Sequence, residues 1–195
     1  MSALLGSVAT YTVLATLLVA SVAHLSRPAV LAGALATHRV LPAPATVAAL
    51  VVGTEGLLAG TGIVALWQGD RSLLGVSLAG SGVLFGLYAG YGRYLLVTGR
   101  TGPCGCSRRE LPMTGWVVTR ALALAGLALT GLTLAGSVLP PQRTGTPLAV
   151  ALLAAATFTT LLWHLPAAMH QPTVAAVRTR TGRPTGVTAE EGLPR

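Results

Sequence analysis

Hydrophobic positions do not alternate with polar ones along this chain; they come in long unbroken runs separated by short polar breaks. Five runs stand out, from Leu4 to Leu25, Ala45 to Trp67, Leu73 to Thr98, Gly115 to Leu139 and Pro147 to Met169. A bilayer core about 30 Å thick is crossed by roughly 20 apolar residues in a helix, so each run predicts a membrane-spanning helix. The breaks carry helix-ending residues, as in "SRP" at 26–28, "LPAP" at 41–44, "QGDRS" at 68–72, "TGRTGP" at 98–103 and "LPPQRTG" at 139–145. The expected fold class is therefore an all-α integral membrane bundle. Its fifth run is the weakest span, being rich in Ala and Thr.

Between the first two runs, "RPAVLAGALATHRVLP" is too short and too polar at its end to cross. Pro28 suits a first helical turn, Val30, Leu31, Ala34 and Leu35 share one face, and Pro42 closes the segment, which predicts a short helix lying along the membrane surface, an ordinary loop being the alternative. A second reading of the first run is a cleaved signal peptide, since "SVA" at 21–23 offers small residues for cleavage. Against it, no basic residue precedes the run, and the run is longer than a signal-peptide core. Within the spans, Gly56 and Gly60, and Gly82, Gly86 and Gly90, recur every four residues, a spacing that lets helices approach closely. From Gln171 onward the chain is rich in Pro, Thr and Arg and predicts a disordered basic tail.

Composition agrees with a membrane protein: the chain is 52% hydrophobic and 9% charged, with mean hydropathy +0.70. The net charge of +8 over 195 residues comes from arginine alone. Aromatic residues are few and do not interleave with the arginines, which lie mainly in the connections and tail, so the charge argues for anionic lipid surfaces and against nucleic acid.

Two features carry chemistry. The first is "GPCGCSRRE" at 102–110, which holds both cysteines. A structural zinc site wants four protein ligands, so it would need histidines to complete the set, and His24, His38, His164 and His170 are scattered over three connections or helix ends; a two-thiolate copper site is the other metal option. As a staple, a three-residue disulfide loop gains only about 1.6 kcal/mol of chain entropy before strain is subtracted. Strain makes such a bond easier to reduce, so the pair suits electron exchange better than stapling. Gly105 allows the tight bend, while Arg108 and Arg109 favour thiolate over thiol at Cys104 or Cys106. The plainer alternative is two unrelated thiols beside a topological anchor. The second feature is Glu55, about 16 Å from either end of its span, where a charge costs roughly 2.5–3.5 kcal/mol on insertion scales. It needs a proton or a partner, the candidates being Arg120, Arg93, and the hydroxyls of Tyr88 and Tyr91. Its role is either a latch between helices or a proton relay. Arg120, about 9 Å into the fourth span, either snorkels to the surface or faces the cysteine loop or Glu55.

The order of these features resembles the MauE family, within the wider DoxX-like group of small membrane proteins. The resemblance rests on "ASVAHLSRPAVL" closing the first span, "HRVLP", the glutamate in "VVGTEGLLAGTG", "PCGC", and the early arginine in "WVVTRALAL". It covers roughly residues 5 to 139. It implies a four-helix core over residues 1–139, to which 140–169 adds a fifth helix and 170–195 a tail. It also implies Cys104 and Cys106 as the redox centre, with Glu55 and Arg120 as the intramembrane acid and arginine, and a role in redox maturation of exported proteins, the founding case being methylamine dehydrogenase assembly. A thioredoxin-like protein is the expected partner. No cofactor motif is visible, although a quinone in the bundle would supply an electron sink. The chain departs from the family pattern in two places. Ser107, Arg108 and Arg109 replace an aromatic and a glycine, and His24 stands where a lysine is frequent near the end of the first span. Nothing here points to methylamine itself. A non-catalytic assembly component or small-solute carrier using Glu55 is the rival reading.

Five spans place the cysteine loop, the segment before Ala45 and the tail on one side. Arg27, Arg39, Arg100, Arg108, Arg109, Arg178, Arg180 and Arg183 share that side, against Arg71 and Arg143 opposite. The positive-inside rule thus assigns the pair to the cytoplasm, whereas exchange with exported proteins requires it outside.

Overall fold

The computed structural model describes residues 1–100, 102 and 114–169. Cys104, Cys106, Arg108, Arg109 and the basic tail lie outside the described residues. The described chain is helical: α1 (Ser2–Ser26), α2 (Pro28–His38), α3 (Pro44–Gln68), α4 (Arg71–Val97), α5 (Gly115–Thr133) and α6 (Thr146–Ala168), with a 3₁₀ turn at Ala135–Ser137. All but α2 are long and apolar enough to cross a membrane. The protein is thus a multi-pass membrane protein.

Local signals account for the boundaries. Gly69, in a left-handed conformation with φ of 70°, stops α3, and the Asp70 carboxylate then caps α4 by accepting from the backbone N–H groups of Ser72 (2.9 Å) and Leu73 (3.0 Å). Pro28, Pro44 and Pro147 each sit in a first turn, where a missing N–H leaves no bond unmade. The fourth span is shorter than its apolar run: α5 ends at Thr133, not Leu139. The rest of the run is pulled off the helix axis by α1, where Tyr11 donates to the Leu139 carbonyl (2.8 Å) and the Ser7 hydroxyl accepts from the Leu139 N–H (2.9 Å).

Helices α1, α3, α4 and α5 close a four-membered ring of contacts, α1 against α3, α3 against α4, α4 against α5 and α5 against α1. Val13, Leu14 and Leu17 of α1 meet Ala59 and Leu66 of α3, Leu78 and Phe85 of α4, and Leu124 and Ala128 of α5 in one core. Half of the α1 span is buried, the largest share among the five, because α6 covers its other side. That contact runs along Leu148, Ala151, Ala155 and Thr159, a row of mostly small residues at helical spacing. The first run is therefore a structural member of the bundle.

Residues Pro28–His38 form a helix rather than a loop, and it packs on α3. Its buried face is Leu31, Ala34, Leu35 and His38; Val30 is exposed, and the helix stops at Arg39, which turns left-handed at φ 52°, before Pro42 is reached. The glycine expectation also needs correction. Gly60, Gly86 and Gly90 face open space and Gly82 is in ordinary contact, while Gly56 alone of that set is tight, its absent Cβ lying 3.2 Å from Ser21 Oγ. Close approach instead occurs at Gly6, Gly62, Gly80 and Gly131, where a Cβ would strike a neighbouring helix or the segment after α5.

Candidate functional site

Glu55 sits at the middle of α3 with 2% of its surface exposed. Because α3 packs between α1 and α4, the carboxyl meets one side chain from each. The Tyr88 hydroxyl of α4 donates to Glu55 Oε1 at 2.8 Å, and His24 Nε2 of α1 lies 3.8 Å from Oε2. Tyr88 is held edge-on against Phe85, with ring centroids 6.2 Å apart. Three helices are therefore tied at one level by a phenol, a carboxyl and an imidazole. Such a row can latch the helices together, and each member can also hold or pass a proton.

The other sequence candidates divide. Tyr91, one turn from Tyr88, does not reach Glu55; its hydroxyl lies 3.1 Å from His38 Nδ1, in a second cluster joining α2 to α4. Arg93 is exposed on α4. Arg120 neither reaches Glu55 nor snorkels freely: its guanidinium lies 5.8 Å from the ring centroid of Trp163 on α6, and its Nε is buried without a hydrogen bond among the described residues.

His38 and Trp163 were not singled out by sequence reasoning. His38 had a signal, for it falls three residues after Leu35 and seven after Leu31 on the buried face of α2, 4% exposed. Trp163 had none, because its role depends on how α6 docks. His38 also packs against Gly102. Gly102, two residues before Cys104 in sequence, packs so closely that a Cβ there would lie 2.8 Å from His38 Cδ2. Nearby, Arg100 donates to the Arg39 carbonyl at 3.1 Å. Among the described residues no group of three or more His, Cys, Asp or Glu side chains is placed to hold a metal ion.

Compared with known proteins, residues 2–134 match the family described as "Methylamine utilisation protein MauE", a match that takes in α1 to α5 and stops before α6. No curated protein and no solved structure matches the chain.

Proposed function

The chain belongs to the MauE family, and on that premise we infer that it exchanges thiol and disulfide equivalents through Cys104 and Cys106 with a thioredoxin-like partner, in the membrane across which exported proteins mature. One thiolate attacks the partner's disulfide, forming a mixed disulfide and releasing a partner thiolate. The second thiolate then displaces the remaining partner sulfur, leaving a Cys104–Cys106 disulfide and a reduced partner; the same steps reversed oxidise the partner. Arg108 and Arg109 favour the attacking thiolate.

The observation that carries this reading is the buried Glu55 carboxyl flanked by Tyr88 and His24, within a bundle against which the approach to the cysteine pair packs at His38. Thiol exchange releases and takes up protons, and an acid held between a phenol and an imidazole supplies a place for them inside the membrane. Arg108 and Arg109, engaged as thiolate partners, drop out of the positive-inside count, yet Arg27, Arg39, Arg100, Arg178, Arg180 and Arg183 still outnumber Arg71 and Arg143, so an outward pair runs against that rule and is decided by labelling from outside the cell.

The deciding experiment is complementation in cells. Loss of client maturation in the Cys104→Ser, Cys106→Ser double variant is expected. Full activity in that variant sinks the exchange reading, and if Glu55→Gln alone then abolishes activity, a carrier or latch takes its place.

A further inference from the structure

A groove of about 660 Å³ runs between the end of α1, the start of α2 and the first half of α3. Its walls are small and apolar, supplied by Ala29, Ala32, Ala48 and Val52, and its lips at Leu25, Ala49, Gly53 and Leu57 are exposed on the lipid-facing surface. Two polar side chains line it, Ser21 and His24, 4% and 8% exposed and one turn apart on α1. Neither makes a hydrogen bond among the described residues. The Ser21 hydroxyl faces Gly56 across the groove, and the His24 ring stands between the groove and Glu55. A hydroxyl and an imidazole are thus the polar groups that an otherwise apolar crevice of ligand size offers to whatever enters it.

We propose that this groove binds a membrane-soluble quinone, with one carbonyl oxygen on Ser21 and His24. This rests on the exchange reading above and gives it a direction. An acyl chain offers nothing for the hydroxyl or the imidazole. A fatty-acid carboxylate would be placed beside Glu55, whose oxygen is 3.8 Å from His24 Nε2, and like charges in that setting repel. A phosphate headgroup would need more than one imidazole among walls of Ala and Val. A neutral flat ring bearing carbonyl acceptors satisfies both donors, fits between small side chains and enters sideways from the bilayer. As oxidant it closes the cycle. Two thiols lose two electrons and two protons and form one S–S bond, while the quinone gains both electrons and both protons as hydroquinone, with His24 and Glu55 on the path of the protons.

The test uses the full chain in lipid nanodiscs, with decylubiquinone for equilibrium binding and an azido-benzoquinone for photolabelling mapped by mass spectrometry. Labelling of α1 and α3 beside the groove is expected. Gly53→Trp puts a bulky side chain on the lip, where a Cβ meets nothing within 4 Å, and should lower affinity at least about tenfold, or about 1.4 kcal/mol. Ala49→Trp, on the same lip, should do likewise if the first variant folds poorly. The Cys104→Ser, Cys106→Ser chain should bind as the parent does. Labelling by a photoreactive fatty acid with the same sensitivity to Gly53→Trp, or quinone labelling indifferent to both tryptophan variants, would overturn the proposal. No cysteine enters this measurement, so its failure leaves the exchange reading standing, and failure of exchange leaves the binding site standing.

Discussion

Replacing Tyr88 by Phe removes one oxygen from the bundle and little else. The lost atom donates to Glu55 Oε1 at 2.8 Å, and that carboxyl is 2% exposed, so no bulk water replaces the donor. Side-chain hydrogen bonds between membrane helices average about 0.6 kcal/mol and reach about 1.7, whereas bonds to charged groups are worth about 1.5–3 in soluble proteins. The short distance and deep burial put this pair near the upper membrane figure, so Tyr88→Phe should destabilise the bundle by about 1–2 kcal/mol. A double-mutant cycle with Glu55→Met isolates the contact, because Met keeps the side-chain length and removes both acceptor oxygens. Reversible unfolding in mixed micelles, followed by helicity, measures all four corners. A coupling of about 0.5 kcal/mol or more is expected, and additivity within about 0.3 kcal/mol would refute the claim that this bond ties α3 to α4.

Gly6→Ala should destabilise by about 1–3 kcal/mol, since its methyl would lie 2.8 Å from Leu134 Cβ, an atom that cannot rotate away, whereas Gly60→Ala, with nothing within 4 Å, should be neutral or slightly stabilising; melting both in detergent checks the contrast. Trp163→Ala should cost about 0.5–2 kcal/mol by removing the aromatic face under Arg120, and Trp163→Phe should restore part of it, again read by melting. In intact cells a membrane-impermeant maleimide should reach Cys104 and Cys106 only after reduction. Labelling that requires opened cells would put the pair in the cytoplasm and remove exported proteins as clients.

The spans were legible because a bilayer imposes length and apolarity directly on sequence, and the "QGDRS" turn was legible because Gly and Asp act within a few residues of themselves. Tyr88 could be named as a partner for Glu55 because an intramembrane acid demands one and the third span offers two hydroxyls. Which hydroxyl it takes depends on helix rotation, and Tyr91 turned out to serve His38. The glycine expectation failed for the same reason. Spacing of four residues identifies a face but not what it faces, and at Gly86 and Gly90 that face looks outward. The end of α5 was misplaced because Leu134 to Leu139 remain apolar, and only the tertiary bonds from Ser7 and Tyr11 take them out of the helix. Arg120 and Trp163, 43 residues apart by their numbers in the sequence, meet because α6 docks on α1 beside α5.

The most direct test of the central claim is to trap the redox state of the cysteine pair in growing cells by acid quenching and alkylation with a mass-shifting maleimide. The account predicts an unshifted band that gains two adducts only after reduction, together with a partner-linked mixed disulfide in the Cys104→Ser or Cys106→Ser single variant. Two adducts without reduction, and no mixed disulfide in either variant, would contradict it.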